Sequence, residues 1–292
     1  MKYKLYSLLA KYGYKIENKE KERKRRLNYL SKFEVEFNKE LLLKGYTIIC
    51  AFESKFQSVQ IKDEKNGIYF SFDGIVVYIE SFEEFFILNE IFFLNEYNFY
   101  TNDKVIVIDI GTNIGIASLF FSNLNNVDKI YAYEPVEQTY NQAALNFKNN
   151  FNKVVEFNNF GLGNSDRNEM FYFNKNVKGN TGIRAELSTS FNSNLVEKVD
   201  VKIKNVSNEF KKIFDENLNS KVVLKMDCEG GEYEIFDDLD KNNLINKFEL
   251  IILEWHDKGA DLLEEILKKN GFDFFSQTLT INSGKIYAKK RN

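Results

Sequence analysis

The sequence predicts an α/β fold built on a mostly parallel β-sheet with helices on both faces, and three observations lead to this. Residues 105–110 read VIVIDI, a β-branched run typical of a strand buried on both faces of a parallel sheet. A glycine-containing loop, a helix and a second apolar strand at 129–133 follow in that order. Two later apolar strands, at 222–226 and 250–253, both run into carboxylates. The carboxyl ends of parallel strands are where open α/β sheets bind ligands, so these groups should meet at one edge of the sheet.

The loop after the first strand has the pattern Asp109-x-Gly111-x-x-x-Gly115. It lacks the three glycines of a dinucleotide fingerprint, so no pyrophosphate is implied. An acidic residue before the first glycine disfavours a phosphate and suits a ligand with a cationic amino group, such as the methionine end of S-adenosylmethionine. Glu134, which ends the second strand, would accept hydrogen bonds from the two ribose hydroxyls. The alternative is a plain βαβ unit with a tight turn.

The length of 292 residues predicts one large α/β domain plus an appended region. We assign residues 1–100 to an N-terminal region of helices and a β-meander, available for substrate or oligomer contacts. Residues 101–292 form the main domain, with an insertion at 164–206. Residues 1–45 have helical periodicity, with Gly45 placed to end the segment.

Composition limits the partners and the compartment. The formal net charge of −3 argues against nucleic acid, because no domain-wide positive surface is available to neutralise phosphates. No signal peptide or membrane span is evident, since the apolar stretch around 85–94 is interrupted by Asn89 and Glu90. Cys50 and Cys228 lie far apart in the chain and are interpreted as free thiols. These features predict a cytoplasmic protein with no membrane span, and a homo-oligomer through the N-terminal region is possible.

Polar residues around the third strand, at 154–159, are further candidates for ligand contacts. Asn159 could read an adenine ring through its amide, with a turn residue as the alternative of equal weight. Lys178 and Arg184 lie in a long polar loop of the insertion and are candidates for a phosphate or sugar-hydroxyl contact. Solvent-exposed charges are the alternative for these two residues.

The carboxylates after the two later strands could supply the catalytic groups. His256 has an ordinary pKa suited to accept a hydroxyl proton near neutrality, unless it is a structural histidine. Asp227 could attract a sulfonium or orient an acceptor hydroxyl. Alternatively, Asp227 and Glu254, together with Glu229, could bind a hard cation such as Mg²⁺, which would lower the pKa of the hydroxyl instead.

Four stretches resemble successive motifs of the FkbM-type methyltransferase family: VIDIGTNIG at 107–115, AYEP at 132–135, LKMDCEGGE at 224–232 and ILEWH at 252–256. The resemblance covers roughly residues 105–275. It implies an S-adenosylmethionine-dependent O-methyltransferase with the seven-stranded class I methyltransferase (Rossmann-like) sheet and an antiparallel final hairpin. Matched by position, the resemblance implies that the cofactor is contacted by Asp109, Gly111, Asn113, Gly115 and Glu134. It also implies that Asp227 and Glu229 lie near the transferred methyl group.

The expected function is methylation of a sugar hydroxyl, because the family is often found with polysaccharide, glycolipid or macrolide biosynthesis. The acceptor would be a nucleotide-activated sugar or an intermediate of a bacterial surface polysaccharide, such as a capsular one. One alternative is a nicotinamide-dependent sugar oxidoreductase, although the third glycine is missing and no Tyr-x-x-x-Lys pair is placed for hydride chemistry. Another is a non-catalytic nucleotide-binding subunit that engages a partner enzyme.

Overall fold

A computed structural model describes residues 18–150, 154–181 and 196–291. The N-terminal region begins with two helices, α1 (Lys19–Leu30) and α2 (Lys39–Lys55). Gly45 lies inside α2 and does not end it, so the prediction of a helix stop there is wrong. A Cβ at Gly45 would lie 3.0 Å from the ring of Phe85, which explains the glycine as a point of close packing.

A three-stranded antiparallel meander follows, with β1 (Gln60–Glu64), β2 (Gly67–Phe72) and β3 (Ile75–Ile79). Helix α3 (Phe82–Leu88) then begins with a capping box, in which the Ser81 hydroxyl accepts from the backbone N–H of Glu84. The helix continues as one π-helical segment, Asn89–Phe93.

The central sheet has seven strands, and six of them run in the same direction. In chain order they are β4 (Val105–Ile110), β5 (Val127–Tyr133), β6 (Val154–Asn158), β10 (Lys221–Met226), β11 (Leu250–His256), β12 (Phe272–Thr280) and β13 (Ser283–Lys290). Their spatial order is β12-β13-β11-β10-β4-β5-β6, and only β13 is antiparallel to its neighbours. Strand β11 extends beyond the predicted residue 253, so the carboxylate and imidazole after it belong to the strand itself.

Two strands of the insertion and one short strand just before it form another small sheet. It contains β7 (Gly161–Gly163), β8 (Arg167–Phe173) and β9 (Glu197–Asn205), in the order β7-β9-β8. Residues 182–195 of the insertion lie outside the described ranges.

Five helices flank the central sheet: α4 (Ile116–Ser122), α5 (Glu137–Lys148), α6 (Val206–Glu216), α7 (Glu232–Lys241) and α8 (Asp261–Lys269). Alternate residues of the buried strands face opposite sides, as the pleat requires. Val105 and Val107 pack in a core with α4 and the N-terminal region, whereas Ile106 and Ile108 pack in a core with α6, α7 and α8. The first core is continuous from α2 and the meander to the sheet. Among the described residues, no helix has the length and apolarity needed to cross a bilayer.

Candidate active site

A cavity of about 300 Å³ lies at the carboxyl ends of the central parallel strands. It is lined on one side by the loop after β4 and by Glu134 at the end of β5, and on the other by Asp227 and Glu229 after β10. The two sets of side chains that the sequence placed at strand ends therefore share one cavity. This is the position at which open α/β sheets bind their ligands.

The loop after β4 approaches the end of β10 very closely. Gly111, Asn113 and Gly115 all have positive φ angles, of 73°, 52° and 89°. A Cβ at Gly111 would lie 1.7 Å from the carbonyl oxygen of Asp227, which no side chain can tolerate. Glycine is therefore required at this position both for its backbone conformation and for the space. Gly111 and Asn113 line the cavity, whereas Gly115 begins α4 beneath it.

Asp109 does not reach the cavity surface, contrary to the expectation that it attracts a cationic ligand. It is fully buried, and its carboxylate accepts a hydrogen bond from Ser118 at 2.5 Å and pairs with the ammonium of Lys225 at 3.1 Å. Burial alone would lower the pKa of Lys225, but the charge of Asp109 reverses this and the pKa is raised. Lys225 also donates to the carbonyl of Gly111 at 2.7 Å. Asp109 therefore fixes the loop through Lys225.

Glu134 has the position expected of a group that binds a ribose. One carboxylate oxygen accepts from the backbone N–H of Asn113 at 3.0 Å, and the other from that of Val136 at 2.9 Å. Burial raises the pKa of Glu134 to about 7, and the two N–H donors oppose this shift. Each carboxylate oxygen has a second lone pair for a ligand hydroxyl. Glu134 thus both ties the loop to β5 and faces the cavity.

Asn159 is placed behind this wall of the cavity. Its amide donates to the carbonyls of Glu134 and Pro135, at 3.0 and 3.2 Å, and Asn159 is not among the described residues that line the cavity. This geometry agrees with the interpretation as a turn residue that stabilises the chain after β5. The amide nitrogen donates to the backbone, which leaves the side-chain oxygen for a ligand, and the adenine contact stays a prediction.

The histidine lies at the end of β11 among carboxylates. Its Nδ1 is 3.1 Å from Glu232, and its Nε2 is 3.8 Å from both Glu229 and Glu254. Burial alone would lower the pKa of His256, but the hydrogen bond with Glu232 and the charge of Glu229 reverse this and raise it to about 10. These neighbours favour the protonated imidazole, which would have to lose its own proton before it could accept one from a hydroxyl. The role of His256 as general base stays a prediction.

The set of residues that the structure places together as candidate metal ligands differs from the predicted set. Ligand atoms of Asp227, Glu229 and His256 lie within 4.8 Å of one another. Glu254, which was paired with Asp227 in the prediction, lies instead 3.5 Å from the ammonium of Lys285. Two carboxylates and one imidazole could ligate a divalent cation if the histidine lost its proton.

Several residues that line the cavity were missed because they come from distant parts of the chain. Glu90 lies in the π-helical segment, and Glu96 and Tyr97 follow it. The hydroxyl of Tyr97 is 3.5 Å from Asp227, and the ring is stacked on Phe121. The one sequence signal was that Glu90 interrupts an apolar stretch. Nothing local marked the other two.

The two basic candidates of the insertion have separate outcomes. Lys178 lines the cavity, but its ammonium is buried and pairs with Glu80 at 2.6 Å and Glu84 at 2.9 Å. These bonds join the insertion to α3, and they leave Lys178 unsuited to the predicted phosphate contact. Arg184 lies outside the described residues.

The sheet order, the antiparallel β13 and the cavity at the ends of β4 and β5 define a class I methyltransferase fold. The family profile described as "Methyltransferase FkbM domain" matches residues 109–274, more than half of the chain. The chain therefore belongs to the FkbM methyltransferase family, as the motifs predicted, and it is a methyltransferase. This assignment favours methyl transfer over the nicotinamide-dependent alternative.

Individual proteins resemble the chain more distantly. Methyltransferase sdnD of Sordaria araneosa is 25% identical over 218 residues, which is 67% of this chain and 84% of that protein. Methyltransferase 1 of Beauveria bassiana (strain ARSEF 2860) is 25% identical over 184 residues, 58% of this chain and 73% of that protein. The crystal structure of Methyltransferase FkbM from Methylobacillus flagellatus KT has 11% identity and a TM-score of 0.42, covering 85% of this chain and 59% of that one.

Proposed function

We propose that this methyltransferase uses S-adenosylmethionine to methylate a hydroxyl group of a sugar, either a nucleotide-activated sugar or an intermediate of a surface polysaccharide. The observation that carries the proposal is that a single cavity joins two sites. A nucleoside-type site lies at Gly111 and Glu134, and a group of carboxylates lies at Asp227 and Glu229. A methyl donor and a hydroxyl acceptor must meet in such a cavity, because the reaction is an in-line displacement that depends on alignment.

The residues of the first site fit S-adenosylmethionine. The absence of a side chain at Gly111 allows the loop after β4 to lie against the end of β10, and Glu134 offers carboxylate lone pairs to a ribose diol. When bound, S-adenosylmethionine supplies an electrophilic methyl group on a positively charged sulfur. Asp227 and the nearby carboxylates favour this positive charge.

The second site supplies the group that removes the hydroxyl proton. As the new C–O bond forms, the acceptor oxygen must lose its proton, and we assign this proton to the carboxylate of Asp227. Tyr97 positions Asp227 through its hydroxyl at 3.5 Å. A protonated His256, 3.8 Å from Glu229 and 3.1 Å from Glu232, would offset part of the negative charge of this group. General-base catalysis of this kind contributes about 10²–10⁴-fold to the rate.

A divalent cation at Asp227, Glu229 and His256 is the competing source of hydroxyl activation, since these ligand atoms lie close together. Treatment with a chelator distinguishes the two. Activity that survives the chelator supports Asp227 as the base, whereas activity that vanishes and returns with Mg²⁺ assigns the role to the metal.

Isothermal titration calorimetry with S-adenosylmethionine tests the cofactor half of the proposal. The absence of binding at about 1 mM ligand would refute it. Asp227→Asn should lower kcat by about 10²–10⁴-fold while leaving the affinity for S-adenosylhomocysteine, which lacks the sulfonium charge, nearly unchanged. Asp273→Asn, on the exposed strand β12, is the matched control and should leave both quantities unchanged.

The acceptor half is tested by mass spectrometry of reaction mixtures that contain S-adenosylmethionine and a panel of free sugars and nucleotide sugars. The expected product carries one additional methyl group. Methyl transfer by the isolated chain would also dismiss the alternative of a non-catalytic subunit.

Cytoplasmic location and homo-oligomerisation through the N-terminal region stay predictions, which fractionation of cells and light scattering would check.

A further inference from the structure

The charge of the cavity wall limits which chemical classes of acceptor can bind. Among the described residues that line the cavity there are eight carboxylates and three lysines. The carboxylates belong to Glu83, Glu90, Glu96, Glu134, Asp227, Glu229, Glu234 and Glu254. Burial raises the pKa of five of these groups, to about 8 for Glu229 and to about 7 for Glu83, Glu90, Glu134 and Glu254, so the wall carries only part of its full negative charge at neutral pH. Its carboxyl groups still offer an anionic ligand no favourable partner.

The three lysines do not offset this charge for a ligand, because each is already paired with carboxylates. Lys178 contacts Glu80 and Glu84, Lys225 contacts Asp109, and Lys285 contacts Glu96 and Glu254. All three ammonium groups are largely buried. Within the described lining, therefore, no cation is left to bind a phosphate.

Glu90 is the carboxylate best placed to bind the acceptor. It projects from the π-helical segment Asn89–Phe93, and π-helical turns are frequent at functional sites because they redirect side chains. In the described part of the chain its carboxylate has no hydrogen bond and no ion pair. Burial, followed by the charge of Glu96, raises the pKa of Glu90 to about 7. A ligand that donates hydrogen bonds or carries positive charge would relieve both effects.

The same helical segment also supplies apolar surface to the cavity. Phe86, Ile87 and Ile91 line it beside Glu90. Phe86 is 49% exposed, so a large part of its ring is available for contact at the mouth of the cavity. One wall therefore combines a carboxylate that lacks partners with an apolar face, which is the pattern that binds a sugar-like ring through its hydroxyl or amino groups and its C–H face.

We propose that the acceptor carries no phosphate or carboxylate and is an uncharged or amine-bearing hydroxyl compound, recognised by Glu90. The inference rests on the proposed function and narrows it, since it selects the sugar forms that lack a nucleoside diphosphate. Glu90 acts on acceptor binding and is separate from Asp227, which acts on the hydroxyl proton.

The test measures binding to the full chain saturated with S-adenosylhomocysteine. Glucosamine, galactosamine and mannosamine are compared by calorimetry with glucose, galactose and mannose, and with the three matching hexose 6-phosphates. The best amino sugar or neutral sugar should bind at least about 10-fold more tightly than any phosphate. Equal affinity for the classes, whether all bind or none binds, overturns the proposal.

Two variants of Glu90 and one control variant test whether Glu90 is the residue that discriminates between the sugar classes. Glu90→Gln should weaken amino-sugar binding by about 10-fold and raise KM for the acceptor with little change in kcat. Glu90→Asp keeps the charge and should retain the order of preference. Glu265→Gln, on the exposed side of α8, is the matched control and should behave like the unmodified chain. Unchanged preference in Glu90→Gln, with normal S-adenosylmethionine affinity as proof of folding, contradicts the role of Glu90.

The results also distinguish failure of the proposed function from failure of the inference about the acceptor. If S-adenosylmethionine itself does not bind, the proposed function fails, whatever the sugars do. If it binds and the hexose phosphates bind as well as the amino sugars, only the inference about the acceptor fails. Phosphate binding that appears only with about 5 mM Mg²⁺ also overturns it, because a bridging cation would then recognise an anionic acceptor.

Discussion

Replacing Gly111 by alanine should damage both the fold and the cofactor site, by an amount that follows from one contact. The new Cβ would lie 1.7 Å from the carbonyl oxygen of Asp227, and real Cβ atoms essentially never come closer than 3.0 Å to such a neighbour. The loop and the end of β10 must therefore separate by about 1.3 Å. That movement breaks the hydrogen bond from the backbone N–H of Asp227 to Ile110 and the one from Lys225 to Gly111.

The magnitude has two parts. The positive φ of 73° costs a non-glycine residue about 1–2 kcal/mol. Overpacking and the two lost hydrogen bonds add about 2–4 kcal/mol. The free energy of unfolding should fall by about 4 kcal/mol in total, which is about 10 °C in Tm for a chain of this size. S-adenosylmethionine binding should be lost, because the separation displaces the loop that lines its site.

Gly271→Ala is the matched control. Gly271 has a nearly equal φ of 79°, and a Cβ there meets nothing within 4 Å. Only the conformational cost of about 1–2 kcal/mol should remain, with cofactor affinity preserved. Thermal unfolding and calorimetry of the two variants measure the difference. Equal loss of stability in both would refute the claim that close approach of the loop to β10 shapes the site.

Three other changes have definite expected outcomes. Glu134→Gln should weaken S-adenosylmethionine binding by about 10-fold or more in calorimetry, since an amide cannot accept from two backbone N–H groups and a ribose diol. The pKa of His256 is raised from 6.5 to about 10, so the protonated imidazole stabilises the fold fully below pH 6.5, and this contribution is lost as the pH rises through about 10. Because the chain has one histidine, an NMR titration of its imidazole measures this pKa directly. A midpoint near 6.5 would refute the raised pKa. Lys178→Met should destabilise the chain by about 3–5 kcal/mol in urea denaturation, because it leaves the buried Glu84 unpaired, and adding Glu84→Gln should recover part of that loss.

The sequence revealed the parts of the site that depend on local pattern. The β-branched run ending at Ile110, the glycine loop and Glu134 lie within one βαβ unit, so their proximity follows from chain connectivity. The role of Asp109 could not be obtained in this way. It depends on the register that places Lys225 beside Asp109 on neighbouring parallel strands. The spacing along the chain contains no information about that register.

Long-range packing explains the remaining differences. Tyr97 and Glu90 reach the cavity because the N-terminal region packs on the helices of the sheet, more than 100 residues before Asp227 in the chain. His256 has the residue type of a general base, and only the structure shows the carboxylate neighbours that raise its pKa. Glycine is typical of a helix end, and only the close packing of the Phe85 ring explains why a glycine, Gly45, lies inside α2.

The continuous core that joins α2, the meander and the central sheet has a consequence for engineering. In many enzymes a recognition module can be exchanged between relatives by recombination at a linker. Here the wall that carries Glu90 and Tyr97 shares its interior with the sheet, so a graft that ends near residue 100 would mismatch buried side chains such as Phe92 and Phe120, whose rings pack 5.5 Å apart. Hybrids with altered substrate choice should therefore need compensating changes in α4, and random chimaeras should lose solubility before they gain a new specificity.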